Sequence, residues 1–187
     1  MYLSKISIKD FRMFSDVVEV SFSKGLNLLV GENGSGKSSV VDAIRALLGE
    51  NEFSRRGIIE EDFYSVFCES QKKSSESLFI SGVFSNLTEA QKVEYLSWLD
   101  EDFNAKLSFE VQRTLNRRNN YKQKRWGGNS SNSFFDIEPL NDIQCVYLPA
   151  LRDAERSLRT GRGSRLARFI ANLSADDLKS NREKDEL

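Results

Sequence analysis

The stretch LLVGENGSGKSSVVDAI, residues 28–44, constrains the fold more than any other part of this 187-residue chain. A hydrophobic run enters a glycine-rich turn, a lysine follows, and a helical pattern begins at once. Gly31 to Ser38 has the spacing GxxxxGKS, the phosphate-cradling P-loop. Gly31, Gly34 and Gly36 allow positive φ and a backbone that comes close to a ligand, which side chains would prevent. Successive amides then form an anion nest, and the following helix adds its unsatisfied donors and positive dipole end.

Lys37 is therefore expected to neutralise β- and γ-phosphates, and the Ser38 hydroxyl to ligate Mg²⁺. Asn33, Gly34, Ser35 and Gly36 form the rest of the cradle, and Ser39, one step on, also caps or packs. The plain alternative is a glycine-rich hairpin turn that happens to hold a lysine. Context argues against it. LNLLV (26–30) reads as a buried parallel strand, and Val40, Val41, Ile44, Leu47 and Leu48 have helical spacing up to a stop at Gly49.

Hydrophobic residues make up 39% and charged residues 29%, the balance of a soluble globular domain long enough for one core and an inserted subdomain. No apolar stretch reaches membrane-span length, and the opening MYLSKISIKDF lacks the apolar centre of a signal peptide, so a cytoplasmic protein with no membrane partner is expected. Histidine is absent, which excludes Ser-His-Asp and Cys-His chemistry and histidine-ligated zinc within this chain. Cys68 and Cys145 stand alone and read as small buried hydrophobes. The final KDEL matches a lumenal retention address, but nothing here would carry the chain across a membrane, and coincidence in a charged tail is the better reading.

Leu3, Ile6 and Ile8, then VVEVSF (17–22), predict two strands ahead of the phosphate-binding strand. Residues 69–77 read as a flexible connection, SLFISGVFSNL as a strand, and Thr88 with Gln91 as a capping box opening a helix through about Leu99. Leu107, Phe109 and Val111 alternate as in a half-buried strand. A basic stretch follows, with Arg113, Arg117, Arg118, Lys122, Lys124 and Arg125 beside Tyr121 and Trp126. It predicts a long loop or hairpin tip, suited to DNA phosphates or simply solvated. IQCVYLP predicts a strand at 143–148, and residues 151–173 an arginine-rich helix broken at Gly161 and Gly163. These elements predict an α/β nucleotide-binding domain with antiparallel β elements before and after the loop. It is expected to occupy residues 1–174, with the P-loop at 31–38, an inserted β/loop region at about 77–142 and a polar tail at 175–187.

Hydrolysis also needs a second apolar strand ending in an aspartate for Mg²⁺, and no segment of the sequence fits; nor is there an LSGGQ-like segment or an NKxD for guanine. The chain is thus expected to be the first part of an ATPase, with the other motifs cut away or supplied by a separate polypeptide, and to turn nucleotide over slowly or not at all.

ISIKDFRMF, a strand pair and GLNLLVGENGSGKSSVVDAI together resemble the N-terminal half of the ABC-type ATPases of RecF, SMC and related DNA-repair proteins, in which Asn33-Gly34 is typical of the loop. VYLPALRDAERSLRTGRGSRLARFI resembles more narrowly the OLD (overcoming lysogenization defect) family of ATP-dependent nucleases. The resemblance covers most of residues 1–174 and implies a P-loop NTPase fold, the N-terminal part of an ABC-ATPase-like head that binds ATP and Mg²⁺ and pairs with a second copy. It further implies a downstream Toprim nuclease that cuts DNA, often in defence against phage. By the same match Arg12 is a candidate nucleotide contact, and Arg152 and Asp153 form a recurring family pair. The competing readings are a RecF/SMC-like ATPase or nucleotide-switched interaction module without nuclease, and a small-molecule P-loop kinase, the last weakened by the two strands before the loop.

Overall fold

In the computed structural model, β1 (Tyr2–Lys9) and β2 (Val18–Ser21) pair antiparallel, with Ile6 opposite Val20 and Ile8 opposite Val18. The structure describes residues 1–49, 57–68, 71–116, 119–132, 135–143 and 145–147. Met1–Glu50 and Arg56–Cys145 form one unit, and Asn51–Arg55 with Val146–Leu187 another. The architecture below is that of the first.

A small hairpin of β3 (Ser65–Cys68) and β4 (Gln71–Ser74) precedes β5 (Ser77–Ser85), β6 (Ala105–Leu115) and β7 (Tyr121–Gly127). The main sheet runs β2-β1-β5-β6-β7, antiparallel at each junction. Period-two alternation decides its two faces. Ile6 and Ile8, Leu78 and Ile80, and Leu107, Phe109 and Val111 are buried on one side, while Lys5, Ser7, Phe79, Val83 and Lys106 occupy the other.

The helix α1 (Lys37–Leu48) packs on the apolar face, contributing Val40, Ala43, Leu47 and Leu48 to the core. It comes close because β5 carries a glycine beneath it: a Cβ at Gly82 would lie 2.6 Å from Leu47 Cδ2. Each such fully buried leucine or isoleucine is worth roughly 1.5–3 kcal/mol, so β-sheet and helix hold one another. Beyond β5, α2 (Glu89–Glu94) starts at Thr88, whose hydroxyl accepts from Gln91 N while the Gln91 side chain accepts from Thr88 N. A 3₁₀ turn at Leu96–Trp98 then buries Trp98, whose indole N–H donates to the Asp136 carbonyl at 2.8 Å and whose ring stacks on Phe135.

Several expectations need correction. Residues 26–30 form no strand: Leu26, Leu28 and Val30 are 86%, 77% and 89% exposed, because no strand among the described residues offers them a ladder. The stretch 69–77 contains β4, which pairs Lys73 with Val66, so it is more than a connection. The helix from Thr88 is shorter than expected, giving way to the 3₁₀ turn after Glu94. The basic stretch is mostly strand, since β7 pairs with β6 up to Tyr121 opposite Leu115. Ile143 and Cys145–Tyr147 carry no strand. The arginine-rich segment with Arg152 and Asp153, and the tail 175–187, lie outside the described residues.

Candidate nucleotide-binding site

The P-loop bridges an exposed segment and a well-anchored helix. Gly34 and Gly36 both have positive φ (83° and 91°), and Gly36 is the N-cap of α1, so the turn into the helix requires glycine at that point. No side chain caps the helix start, and its first turn contains no acidic residue. The amides there are left as donors without a protein anion to neutralise the positive end of the dipole. Ser38 is exposed beside them, whereas Ser39 is turned inward and buried.

Lys37 lies across the loop. Its ammonium donates to the carbonyls of Gly31 and Glu32 at 2.9 and 2.7 Å, with Ser35 Oγ at 3.4 Å. These are neutral, exposed acceptors that a phosphate oxygen would readily replace with a charge-assisted bond. Asn33, Gly34, Ser35 and Ser38 are exposed, so the sequence-predicted loop residues lie at the solvent-facing start of α1, apart from Gly36 and Ser39, which are buried.

Arg12 is engaged elsewhere. Its Nε donates to Asp62 Oδ1 at 3.0 Å and its Nη1 to Asp42 Oδ2, while Arg45 Nη1 reaches the other Asp42 oxygen at 2.7 Å. The Arg12 amide also donates to the Asp62 carbonyl at 2.8 Å, and Arg12 itself has φ of 51°. This pairing ties the tip of the β1–β2 connection to α1. The neighbouring residues close the same contact: a Cβ on Gly36 would meet Phe14 Cζ at 2.7 Å and Met13 Sδ at 2.9 Å.

Sequence reasoning missed Met13, Phe14, Asp42 and Asp62. Asp42 carried a weak signal as an acid three residues before Arg45 on one helix face. Asp62 had none, since it is 50 residues from Arg12 and meets it only through the fold.

The loop fits a nucleotide's phosphates: uncapped amides at the helix start, one ammonium held by neutral acceptors, and an exposed hydroxyl. Mg²⁺ is served less fully. It needs six oxygens, Ser38 offers one, and the described residues contain no cluster of three or more acidic, cysteine or histidine side chains. Phosphate oxygens and water would complete its shell. A separate cavity of about 360 Å³ opens on the far face of the sheet, between Lys5, Glu19, Phe79 and Lys106, and no residue of Gly31–Ser39 lines it.

A profile of the AAA ATPase domain matches residues 1–158. The chain belongs to the AAA ATPase domain family. This AAA ATPase domain is 56% identical over 50 residues to the chromosome partition protein Smc of Chlorobaculum tepidum, which covers 27% of the chain and 4% of that protein. It is 52% identical over 44 residues to the DNA double-strand break repair Rad50 ATPase of Thermococcus kodakarensis, covering 24% and 5%. A solved SMC ATPase, described for ATP-driven dimerization and DNA-stimulated activation, superposes over 95% of this chain and 99% of its own at TM-score 0.47 and 20% identity. The matched segments span only 4–5% of these Smc and Rad50 relatives. The chain is thus an ATPase domain of mixed α/β architecture, with short segments similar in sequence to Smc and Rad50 proteins. No helix among the described residues is long and apolar enough to cross a membrane.

Proposed function

We propose that this AAA ATPase domain binds Mg·ATP at Gly31–Ser39 and supplies one half of a composite ATPase head. Lys37 holds the β- and γ-phosphates, the amides of Asn33 to Ser38 cradle them, and the Ser38 hydroxyl ligates Mg²⁺. The observation that carries this reading is the uncapped, acid-free start of α1 behind a left-handed Gly36, with Lys37 lying across it. Calorimetry tests it: wild-type chain gives a saturable Mg·ATP isotherm and Lys37→Ala gives none. Equal affinity in the two proteins overturns the assignment.

The head is completed from outside the described residues. Leu26, Leu28 and Val30 are apolar and exposed beside the loop, and a strand docked there, ending in an aspartate, would supply both a ladder and the missing Mg²⁺ carboxylate. Turnover by this chain alone is accordingly near background. Arg12 joins the phosphates by leaving one of its two carboxylates. Pairing of two such heads around nucleotide is the quaternary form this reading carries.

For the parent protein, the finer proposal is an OLD-like enzyme: an ATPase domain at 1–174 followed by a Toprim nuclease that couples ATP to DNA cleavage, in defence against phage. Its support is the segment VYLPALRDAERSLRTGRGSRL. A RecF/SMC-like ATPase without nuclease has support of its own in the Smc and Rad50 similarity. The reading frame beyond Leu187 separates them: Toprim carboxylates and metal-dependent cleavage of plasmid DNA favour the first, and their absence the second.

A further inference from the structure

The two ends of α1 are treated differently. Its N-terminus is open, whereas its C-terminus is closed by a charge from the sheet. Gly49 N–H returns to Arg45 O at 3.1 Å, and the next carbonyl, Ala46 O, accepts from Arg125 Nη2 at 3.0 Å. Arg125 is on β7, opposite Phe109 of β6, and its guanidinium carbon is 4.0 Å from the centre of that ring. Its Nε is buried with no hydrogen-bond partner, and burial pushes its pKa down.

A partly buried guanidinium whose buried Nε is unsatisfied costs stability, and a long apolar side chain lying on Phe109 would serve the core at least as well. What an apolar side chain lacks is attraction for the negative end of a helix dipole and a directional bond to one carbonyl. That bond acts on a rigid element. From Ala46 to Gly36 the helix spans about 15 Å at 1.5 Å per residue, so its C-terminal anchor also fixes its N-terminal position. At the front, Met13 and Phe14 abut Gly36; at the rear, Arg125 ties α1 to β7.

We infer that Arg125 is a positioning residue for nucleotide binding: by fixing the C-terminal end of α1 to β7, it sets where the amides of Gly36–Ser39 stand. This rests on the nucleotide reading above, and deepens it by naming a residue remote from the phosphates that governs their grip.

The test uses Arg125→Met and Arg125→Lys in the full chain, with thermal unfolding, amide ¹H–¹⁵N spectra of nucleotide-free protein, and Mg·ATP calorimetry. Arg125→Met should fold with a midpoint near wild type, shift the amides of Gly36–Ser39 but not those of Ile6–Ile8, and weaken ATP binding about tenfold. Arg125→Lys keeps the charge and gives up the planar fork, so its shifts are smaller and its loss about threefold. A folded Arg125→Met with unmoved loop amides and wild-type affinity overturns the inference. If Arg125→Met does not fold, Arg125→Lys decides through the same amides: movement supports positioning, and no movement overturns it. Should wild-type chain not bind ATP, the nucleotide reading fails, while the nucleotide-free spectra still judge whether Arg125 sets the loop.

Discussion

β5 and the segment Leu26–Val30 are both apolar and extended in pattern, yet one is the centre of the core and the other faces solvent. Leu78 and Ile80 are 0% exposed, with β1 on one side and β6 on the other; Leu26, Leu28 and Val30 are each more than three-quarters exposed. The difference lies in neighbours. An apolar pattern states a need for a ladder and a covering layer; it does not provide them. The P-loop therefore lies between a helix anchored by the sheet and a segment with no such anchor among the described residues, and the uncapped amides at the start of α1 belong to the anchored side.

The largest effect should come from testing whether the anchored side suffices. Mg·ATP should bind despite the unpaired segment, and Lys37→Ala should weaken it by on the order of a hundredfold, to the calorimetric baseline, since it removes a charge-assisted contact to the phosphates. Wild-type chain that binds only after a second polypeptide is added would show that the open side is needed for the cradle itself.

The next comparison is of two leucines. Leu47, 0% exposed on the buried face of α1, should lose about 2–5 kcal/mol on truncation to alanine. Leu28, 77% exposed, should change by no more than about 0.5 kcal/mol. Urea midpoints of Leu47→Ala and Leu28→Ala check both. A large loss at Leu28 would mean that Leu26–Val30 is covered in solution, and that it does not differ from β5 in having neighbours.

What could be read from the sequence follows the same division. The loop, α1 and its glycine stop were legible because GxxxxGKS and the spacing of Val40, Ile44 and Leu47 are local signals. β1, β2, β5 and β6 were legible from alternation, and the Thr88–Gln91 cap from two residues. Leu26–Val30 was misread because its strand state depends on a partner that no local pattern specifies. β7 was misread because six charges in the region 113–126 obscured an alternation whose half-buried members on the core face are the polar Tyr121 and Arg125. Those polar choices have reasons only the fold reveals: Tyr121 donates to Glu60 at 2.8 Å, and Arg125 caps α1. The Arg12–Asp42–Asp62 cluster was invisible for the same cause, being assembled from three separate elements.

A smaller effect belongs to the anchored side at high pH. Tyr95 is 2% exposed and its hydroxyl donates to the Pro139 carbonyl at 3.2 Å. Burial first, then the charges of Glu94 and Asp142, push its pKa up to about 12. A phenol whose folded pKa is raised contributes stability that is whole below its unfolded value near 10 and is lost as pH rises toward 12. Tyr95→Phe should cost about 1 kcal/mol at pH 7 for the lost hydrogen bond and flatten the alkaline decline. Urea midpoints at neutral and alkaline pH should therefore converge for the two proteins, and a constant gap would rule out Tyr95 as the source.

The smallest effect concerns β2, the edge strand from which the exposed segment leads off. Glu19 accepts from Lys5 Nζ and from Ser7 Oγ, each at 3.0 Å, across the β1–β2 pair. The Lys5 bond first, and then the Ser7 hydroxyl, hold its carboxyl below the ordinary value of 4.5. A depressed carboxyl pKa contributes stability present above 4.5 and lost as pH falls through the lower folded value. The pair is open to solvent and screened, so the contribution is small and weakens with salt. Glu19→Gln should match wild type below the folded value and fall slightly behind it above pH 5. The sharper readout is local: amide exchange at Val18–Ser21 should quicken in wild type on acidification and be pH-flat, beyond intrinsic chemistry, in the variant. Quickening that extends to β5 would mean that the edge and the centre of the sheet open together, and that the boundary between anchored and unanchored regions lies further out than β2.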